Sequence, residues 1–414
     1  MTETRRDFLK TSAVLGGAAL MSASVYAAGN DTIRVGLVGA GGRGSGAAGD
    51  CLEADKSLKL VAVGDAFKDR ADGAVRRLKE EYKDQVDVEG RVFVGLDAYK
   101  EVIANCDLIL LATPPGFRAQ MIAAAVEAGK HIFTEKPVAV DGAGVRMCLA
   151  AYDQAQKKNL RIAAGTQRRH QTSYLESMKR LHGGDIGELV AGRCYWNMGT
   201  LWHRKKDPGM SDLEWQIRNW LYFAWLSGDH ICEQHVHNLD VINWAMKAHP
   251  LSAVGLGGRQ VRIEPEFGHI FDHHAVDYTY PNDVHVMSMC RQIAGTAGDV
   301  SEAVVGTKGH WTSKGHVIKG EKAWALGRGK DNQPYKQEHK DLVQAIKEQK
   351  ALNELKNVAE STLTAILGRL ATYTGGEVTW EQALATESLM PAKLAWDMQL
   401  PVPPVAMPGR TKLG

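Results

Sequence analysis

The ordered pattern of this chain begins at residue 33, where a short, mainly apolar run leads into glycines. From there to residue 164, short apolar runs alternate with longer stretches of helical period. The runs at 33–38, 58–63, 92–94, 107–112, 131–134 and 160–164 are bounded by Gly, Pro, Asn or charged residues and predict strands. The intervening 70–82, 97–104, 117–128 and 142–158 predict helices. Strands that read as near-continuous apolar runs and alternate with helices predict a parallel sheet covered on both faces, an α/β arrangement. The character changes after residue 171. Residues 171 to about 245 read as helices and loops dense in tryptophan and histidine, and 252–319 read as β, with alternating runs at 275–280 and 284–290. Helices are expected near 338–349 and 358–373. The tail beyond residue 389 holds five of the 13 prolines, which predicts an irregular arm along the surface or toward a neighbouring subunit.

The run at 33–38 ends in Gly39-Ala40-Gly41-Gly42-Arg43-Gly44, and the next predicted strand ends on Asp65, 21 residues after Gly44. Each glycine has a separate task in a dinucleotide site: Gly39 for a tight turn, Gly41 for backbone approach to a pyrophosphate, Gly44 for close packing of the following helix. That helix would present free amides and its positive end to the phosphates. Asp65 would accept hydrogen bonds from the adenosine ribose and repel a 2′-phosphate, so the expected cofactor is NAD rather than NADP. Glycine-rich turns are common, and here the strand before and the acid after make the case. Gly42, Arg43, Thr113, Pro114, Glu135, Lys136 and Gln167, at the carboxyl ends of the predicted strands or just beyond, complete the expected cofactor set, since ligands of open α/β sheets bind there.

Composition adds mainly exclusions. A net charge of +2 offers no argument for a nucleic-acid partner. Cys51, Cys106, Cys148, Cys194, Cys232 and Cys290 are scattered without a C-x-x-C, so buried free thiols are expected rather than disulfides. The N-terminus does change the picture. Thr4-Arg5-Arg6-Asp7-Phe8-Leu9-Lys10 matches the twin-arginine export pattern, followed by an apolar Gly/Ala-rich stretch and small residues suited to cleavage after Ala27 or Ala28. The expected organisation is therefore a signal peptide at 1–28 read by the twin-arginine machinery, a dinucleotide-binding domain at 31–165, a substrate and oligomerisation domain at 166–385 and a proline-rich arm at 386–414. The expected location is periplasmic or otherwise extracytoplasmic.

Two segments carry candidate chemistry. Glu135-Lys136-Pro137 follows a predicted strand, and a lysine held there can donate to a substrate oxygen on which charge develops. The segment 228–240 contains His230, Glu233, His235 and His237. If it is helical, Glu233 and His237 stand at i and i+4 and can hydrogen-bond, which would orient the imidazole as a general base. The i, i+3, i+7 spacing of His230, Glu233 and His237 also suits a metal, but neither zinc-protease motif is present, so no metal is expected. Lys136, Glu233 and His237 are the expected catalytic residues. Arg168 and His170, just past the last strand of the first half, and Trp202, His203, His230 and His235 are the expected substrate contacts, the indole suiting the C–H face of a sugar.

Together, G-A-G-G-R-G at 39–44, A-T-P-P at 112–115, E-K-P at 135–137, G-T-Q-R-R at 165–169 and E-x-H-x-H-x-x-D at 233–240 resemble the Gfo/Idh/MocA family, over about residues 31–385. The resemblance implies an N-terminal Rossmann NAD(P)-binding domain followed by an α+β domain with a large open mixed sheet, homo-oligomerisation, and oxidation or reduction of a ring hydroxyl of a sugar or cyclitol. It implies that Lys136 is the catalytic lysine and His237 the acid/base. Glu233 and His235 stand where the family usually has aspartate and glycine, and Arg118 where it often has histidine. Three functions are compatible: an NAD-dependent dehydrogenase, a redox-neutral enzyme (a glycosidase with transient oxidation or a sugar–sugar oxidoreductase), and a non-catalytic sugar-binding protein. Free NAD is scarce outside the cytoplasm, and twin-arginine export carries folded proteins. The expectation is therefore an oxidoreductase acting on a sugar, glycoside or cyclitol, with tightly bound, internally recycled NAD.

Overall fold

The computed structural model describes residues 32–327, 329 and 331–413. The export leader and the first residue of the expected nucleotide domain lie outside the described residues. The first half forms a six-stranded sheet from β1 (Ile33–Val38), β2 (Leu58–Asp65), β3 (Val92–Val94), β4 (Leu108–Leu111), β5 (His131–Thr134) and β6 (Ile162–Ala164), in the order β3-β2-β1-β4-β5-β6. Every neighbouring pair is parallel. Val35, Leu37, Leu60, Val63, Leu108, Leu110, Ile132 and Phe133 are buried, as the unbroken apolar runs require. Strand order reverses between β1 and β4, which opens the crevice where ligands of such sheets bind.

The second half is built on a nine-stranded sheet, ordered β14-β13-β12-β11-β7-β10-β9-β8-β15. Its strands are β7 (Leu189–Met198), β8 (Ser252–Gly258), β9 (His273–Tyr280), β10 (Val284–Gln292), β11 (Asp299–Gly306), β12 (Gly309–Thr312), β13 (Val317–Gly320), β14 (Trp324–Ala325) and β15 (Val378–Thr379). All pairings are antiparallel except β7 with β10, so the sheet is mixed. Alternate residues of β8 to β10 are buried, with the helix Leu355–Thr374 over β8 and β9 and the helix Val236–Met246 over β7 and β11, while Val254, Leu256 and Met287 on the other face are exposed. Among the described residues no helix is long and apolar enough to cross a membrane.

One reading of the sequence needs correction here, and two gain detail. Residues 171–245 are not all helix and loop, because β7 runs through them near the middle of the second sheet. Gly192, Arg193, Cys194 and Asn197 blur its period, and only Cys194 is fully buried. Its position comes from pairing with β10 and β11, which lie far later in the chain. The boundary at 165 is also less clean than the sequence pattern suggested. The helix Pro334–Lys347 lies against Gly42–Ala54 and buries Leu342, Val343 and Ile346 in the core of the first sheet. The proline-rich arm, finally, is strapped along its own chain. Leu389 N–H donates to Asp141, Gln216 donates to the Leu400 carbonyl, Leu400 N–H donates to Asp212, and Gly409 N–H donates to the Thr374 carbonyl. All six cysteines are free and buried.

Candidate active site

Two glycines of the first loop, Gly39 and Gly44, occupy positions that only glycine serves. Gly39 has φ 88°, and a Cβ there would fall 2.6 Å from the Ala112 and Thr113 backbone. A Cβ on Gly44 would lie 1.8 Å from the Gly39 carbonyl oxygen, so the helix Gly42–Ala54 can approach β1 only without a side chain at that position. Gly41 and Gly42 face open space, with nothing within 4 Å of a built Cβ, and Gly41 caps the helix without a side-chain hydrogen bond. This is an open cradle of amides at a helix N-terminus, the arrangement a pyrophosphate requires.

Beside the cradle lies an open cleft lined by Asp65, Ala66, Leu96, Tyr99, Thr113 and Pro114, among others. Asp65 accepts from Ala40 N–H at 2.7 Å and from Phe67 N–H at 2.9 Å, which fixes its carboxylate at the cleft wall. Burial raises its pKa against the pull of these two amides. Cradle, carboxylate and apolar cleft fit the pyrophosphate, ribose and adenine of a dinucleotide.

Arg43 does not extend into solvent. It reaches across the crevice to ion-pair with Glu135 and with Glu338 of helix Pro334–Lys347, its guanidinium 4.9 Å from the centre of the Tyr335 ring. Gln167 donates to the Tyr335 hydroxyl at 3.2 Å. Glu135 is buried beside Gly165, where a Cβ would lie 2.5 Å from its carboxylate. The polar residues of the cofactor set are thus fastened to a helix from the second half of the chain.

Lys136 follows β5 and enters the second half of the molecule. Its Nζ donates to the Glu233 carbonyl oxygen at 2.6 Å and to Glu233 Oε1 at 3.2 Å, with both side chains about nine-tenths buried. The Lys136–Pro137 peptide bond is cis. Arg118, one turn past the A-T-P-P segment, donates to both the Lys136 and Pro137 carbonyls, at 2.6 and 2.7 Å. Burial lowers its pKa to about 10, so it stays charged at neutral pH and holds the lysine's backbone in place. The sequence reading noted Arg118 only as a departure from the family pattern, although its place directly after the proline turn was a usable signal.

Glu233 and His237 do not form the expected hydrogen bond. The segment is two helices, His230–Glu233 and Val236–Met246, broken at Gln234 and His235. The break rotates Glu233 away from the i+4 partner, and its carboxylate takes Lys136 and Gln234 instead. His237 stacks on Trp196, ring centroids 5.7 Å apart and planes 23° from parallel, and neither of its ring nitrogens has a hydrogen-bond partner among the described residues. Burial pushes its pKa well below the ordinary value, helped by the positive charges of Lys136, Arg168 and Arg43. It is a neutral imidazole at neutral pH, with free lone-pair capacity.

The remaining expected contacts divide. Arg168 ion-pairs with buried Glu302 and lies over the rings of Tyr174 and Trp196, while Asn238 and Tyr174 also donate to Glu302. This places Arg168 beside the Trp196–His237 stack. Trp196, Asn238 and Glu302 escaped the sequence reading because β7, β11 and the helix meet only in three dimensions. His170 is committed elsewhere, with Nδ1 2.6 Å from Asp341 and Nε2 3.2 Å from Glu354. His235 is fully buried against Ser288, and His230 is buried beside Asp229 and His274. Trp202 and His203 join a separate aromatic group, packing on Trp220, Tyr222 and Phe267, with Trp202 about half exposed. The set His230, Glu233 and His237 does not converge on a point suitable for a metal ion; among the described residues only Asp229, His230 and His274 do.

Comparison with known proteins supplies the family. Residues 33–166 match the oxidoreductase family GFO_IDH_MocA, NAD-binding Rossmann fold. Residues 33–166 therefore form an NAD-binding Rossmann domain of the Gfo/Idh/MocA type. Residues 4–22 match the twin-arginine translocation signal sequence, which directs export from the cytoplasm. An inositol 2-dehydrogenase of Rhizobium meliloti is 27% identical over 245 residues, which is 59% of this chain and 64% of that protein. The chain thus matches somewhat less than two thirds of the length of such curated relatives. Among solved structures, apo scyllo-inositol dehydrogenase from Lactobacillus casei superposes with a TM-score of 0.63 at 18% identity, covering 85% of this chain and 99% of that one. An aldose–aldose oxidoreductase from Caulobacter crescentus, complexed with glycerol, gives 0.64 at 16% identity, over 84% and 99%. At these identities the likeness is one of fold, and it extends through both halves of the family member.

Proposed function

We propose that this exported oxidoreductase acts on a ring hydroxyl of a sugar, glycoside or cyclitol, with NAD retained through export and recycled within each catalytic cycle. The observation that carries the reading is a buried, oriented lysine just past the carboxyl end of β5 whose charge acts on a neutral, buried histidine. An ammonium group has three donors. Lys136 uses its contacts to the Glu233 carbonyl and carboxylate, which leaves one N–H for a substrate oxygen. In a buried setting, that donor stabilises negative charge as it develops on the oxygen. His237, kept uncharged by burial and by Lys136, can accept the hydroxyl proton. NAD, when bound, supplies the two-electron acceptor. Arg168 beside Trp196 offers a charged edge and an aromatic face to a polyhydroxylated ring.

Retention is supported by what covers the adenosine cleft. Ile217 of the helix Asp212–Arg218 lines the cleft from the second half of the chain. Its neighbour Arg218 lies 3.8 Å over the Phe67 ring and pairs with Asp69, and Trp396 of the arm packs on the same ring at 5.6 Å. A cofactor enclosed in this way suits a compartment with little free NAD. It also favours net redox-neutral chemistry, in which a second sugar or the same glycoside takes the hydride back; the aldose–aldose oxidoreductase of like fold bears a name of that kind. The test is to denature the purified exported protein and assay the supernatant for nucleotide. Near-stoichiometric NAD(H) is expected. Nucleotide-free protein that is active only with added NAD would overturn retention. A panel of glycosides and free sugars, read for reduced nicotinamide and for released aglycone, then separates net oxidation from redox-neutral turnover.

A further inference from the structure

Behind the segment that carries Glu233 and His237 lies a polar cluster that the proposed catalysis does not use. Asp229 precedes the helix His230–Glu233 with φ 75°, an uncommon conformation for a residue other than glycine. Its side chain is fully buried, as are those of His230 and His274 of β9. Asp229 Oδ2 accepts from Phe271 N–H at 3.0 Å and from the Tyr373 hydroxyl at 2.6 Å, and Oδ1 accepts from His230 N–H. One ligand atom from each of Asp229, His230 and His274 lies within 4.8 Å of the other two.

The hydrogen bonds around His274 decide its tautomer. Thr372 Oγ1 donates to the carbonyls of Gly368 and Arg369, at 3.0 and 2.9 Å, so its hydrogen is taken. With that hydrogen directed at the carbonyls, the contact with His274 Nδ1 at 2.9 Å is one in which the imidazole donates. A neutral His274 therefore directs a bare Nε2 lone pair at the Asp229 carboxylate, 3.4 Å away. Two electron-rich atoms facing each other in a dry interior require a cation between them. A proton on Nε2 would meet that need for His274 but leave His230 unsatisfied. Both ring nitrogens of His230 are buried without a partner, and Nε2 lies 3.9 Å from Asp229 Oδ1. An unsatisfied buried polar atom costs about 1–3 kcal/mol.

A single divalent metal ion gives His274 Nε2, one ring nitrogen of His230 and the carboxylate a common partner. Two imidazoles and a carboxylate form a donor set suited to zinc and other first-row transition metals, with bonds of about 2.0–2.2 Å. Thr372 on His274 Nδ1, and Phe271 and Tyr373 on Asp229, are the outer partners that orient such ligands. We propose that Asp229, His230 and His274 bind one transition-metal ion of the zinc class. The ion ties the start of the Glu233 segment to β9, while Thr372 and Tyr373 link it to the helix Leu355–Thr374. Its role is structural, and the site is distinct from the Lys136–His237 pair.

The test uses the full exported chain, produced in zinc-supplemented medium and measured for bound metals by inductively coupled plasma mass spectrometry. Near one equivalent of zinc or a related metal per chain is expected, falling to background in His274→Gln and His230→Gln. If a variant does not fold, the wild-type protein decides alone: unfolded in chelator and refolded with zinc, it should recover metal and melt at a higher temperature than protein refolded without it. Wild-type protein that takes up no metal and melts identically under both conditions overturns the proposal, as does metal retained at full level in both variants.

Discussion

His237 is held under the Trp196 ring, and burial together with the charge of Lys136 keeps it uncharged. Its pKa lies well below the ordinary histidine value, so a rate that depends on the neutral ring should hold from neutral pH down past about 6.5. His237→Ala should lower turnover by about 10²–10⁴-fold while leaving NAD bound. Single-turnover assays beside nucleotide release from the denatured variant check this, and an unchanged rate refutes the assignment. The residue types were legible in the sequence because E-K-P and the histidine-rich segment stand out by spacing. Their hydrogen bonds were not. The i, i+4 argument assumed one continuous helix, and the break at Gln234 and His235 gives Glu233 to Lys136 instead. The place of Arg118 directly after the proline turn was legible, but its grip on the backbone of Lys136 and Pro137 was not, because that contact joins separate elements.

The elements of the first sheet follow from local rules. Unbroken apolar runs form β1 to β6, and Gly44 permits a helix to lie where any Cβ would strike the Gly39 carbonyl. Elements joined by polar contacts are harder to read, and His170 is the clearest instance. It sits in the short turn Gln167–His170 and is clamped between Asp341 of the helix Pro334–Lys347 and Glu354. Burial opposes its protonation, but the hydrogen bonds to Asp341 and Glu354 outweigh it and raise the pKa to about 10. A folded-state pKa above the unfolded value means that this stabilisation is complete below about pH 6.5 and is lost as pH rises through about 10. Denaturant melts across that range should show wild-type stability falling with pH, and His170→Gln should flatten the fall. Equal slopes for the two proteins would show that the clamp carries no net charge coupling.

At the scale of the whole molecule, the second half of the chain packs against the proposed nucleotide site of the first. Helix Pro334–Lys347 supplies the partners of Arg43 and Gln167, Ile217 lines the adenosine cleft, and the arm lays Trp396 on Phe67. Truncation after Leu389, or Trp396→Ala alone, should speed nucleotide release in stopped-flow chase experiments while leaving the Lys136–Glu233 contact intact. Release at the wild-type rate would mean that the arm has no part in retention. Some of this plan was already determined by the sequence: the export leader, the parallel sheet and the glycine cradle with Asp65; it also singled out the lysine and histidine proposed as catalytic. Each of these depends on short-range periodicity or on the steric needs of single residues, and such information is local. Only the tertiary structure decided that β7 lies near the centre of the second sheet, that Glu233 serves Lys136 rather than His237, that His170 is a clamp, and that Asp229, His230 and His274 converge. Those outcomes depend on which distant segments share a buried volume and must satisfy one another's polar groups there, a condition that no stretch of sequence states on its own.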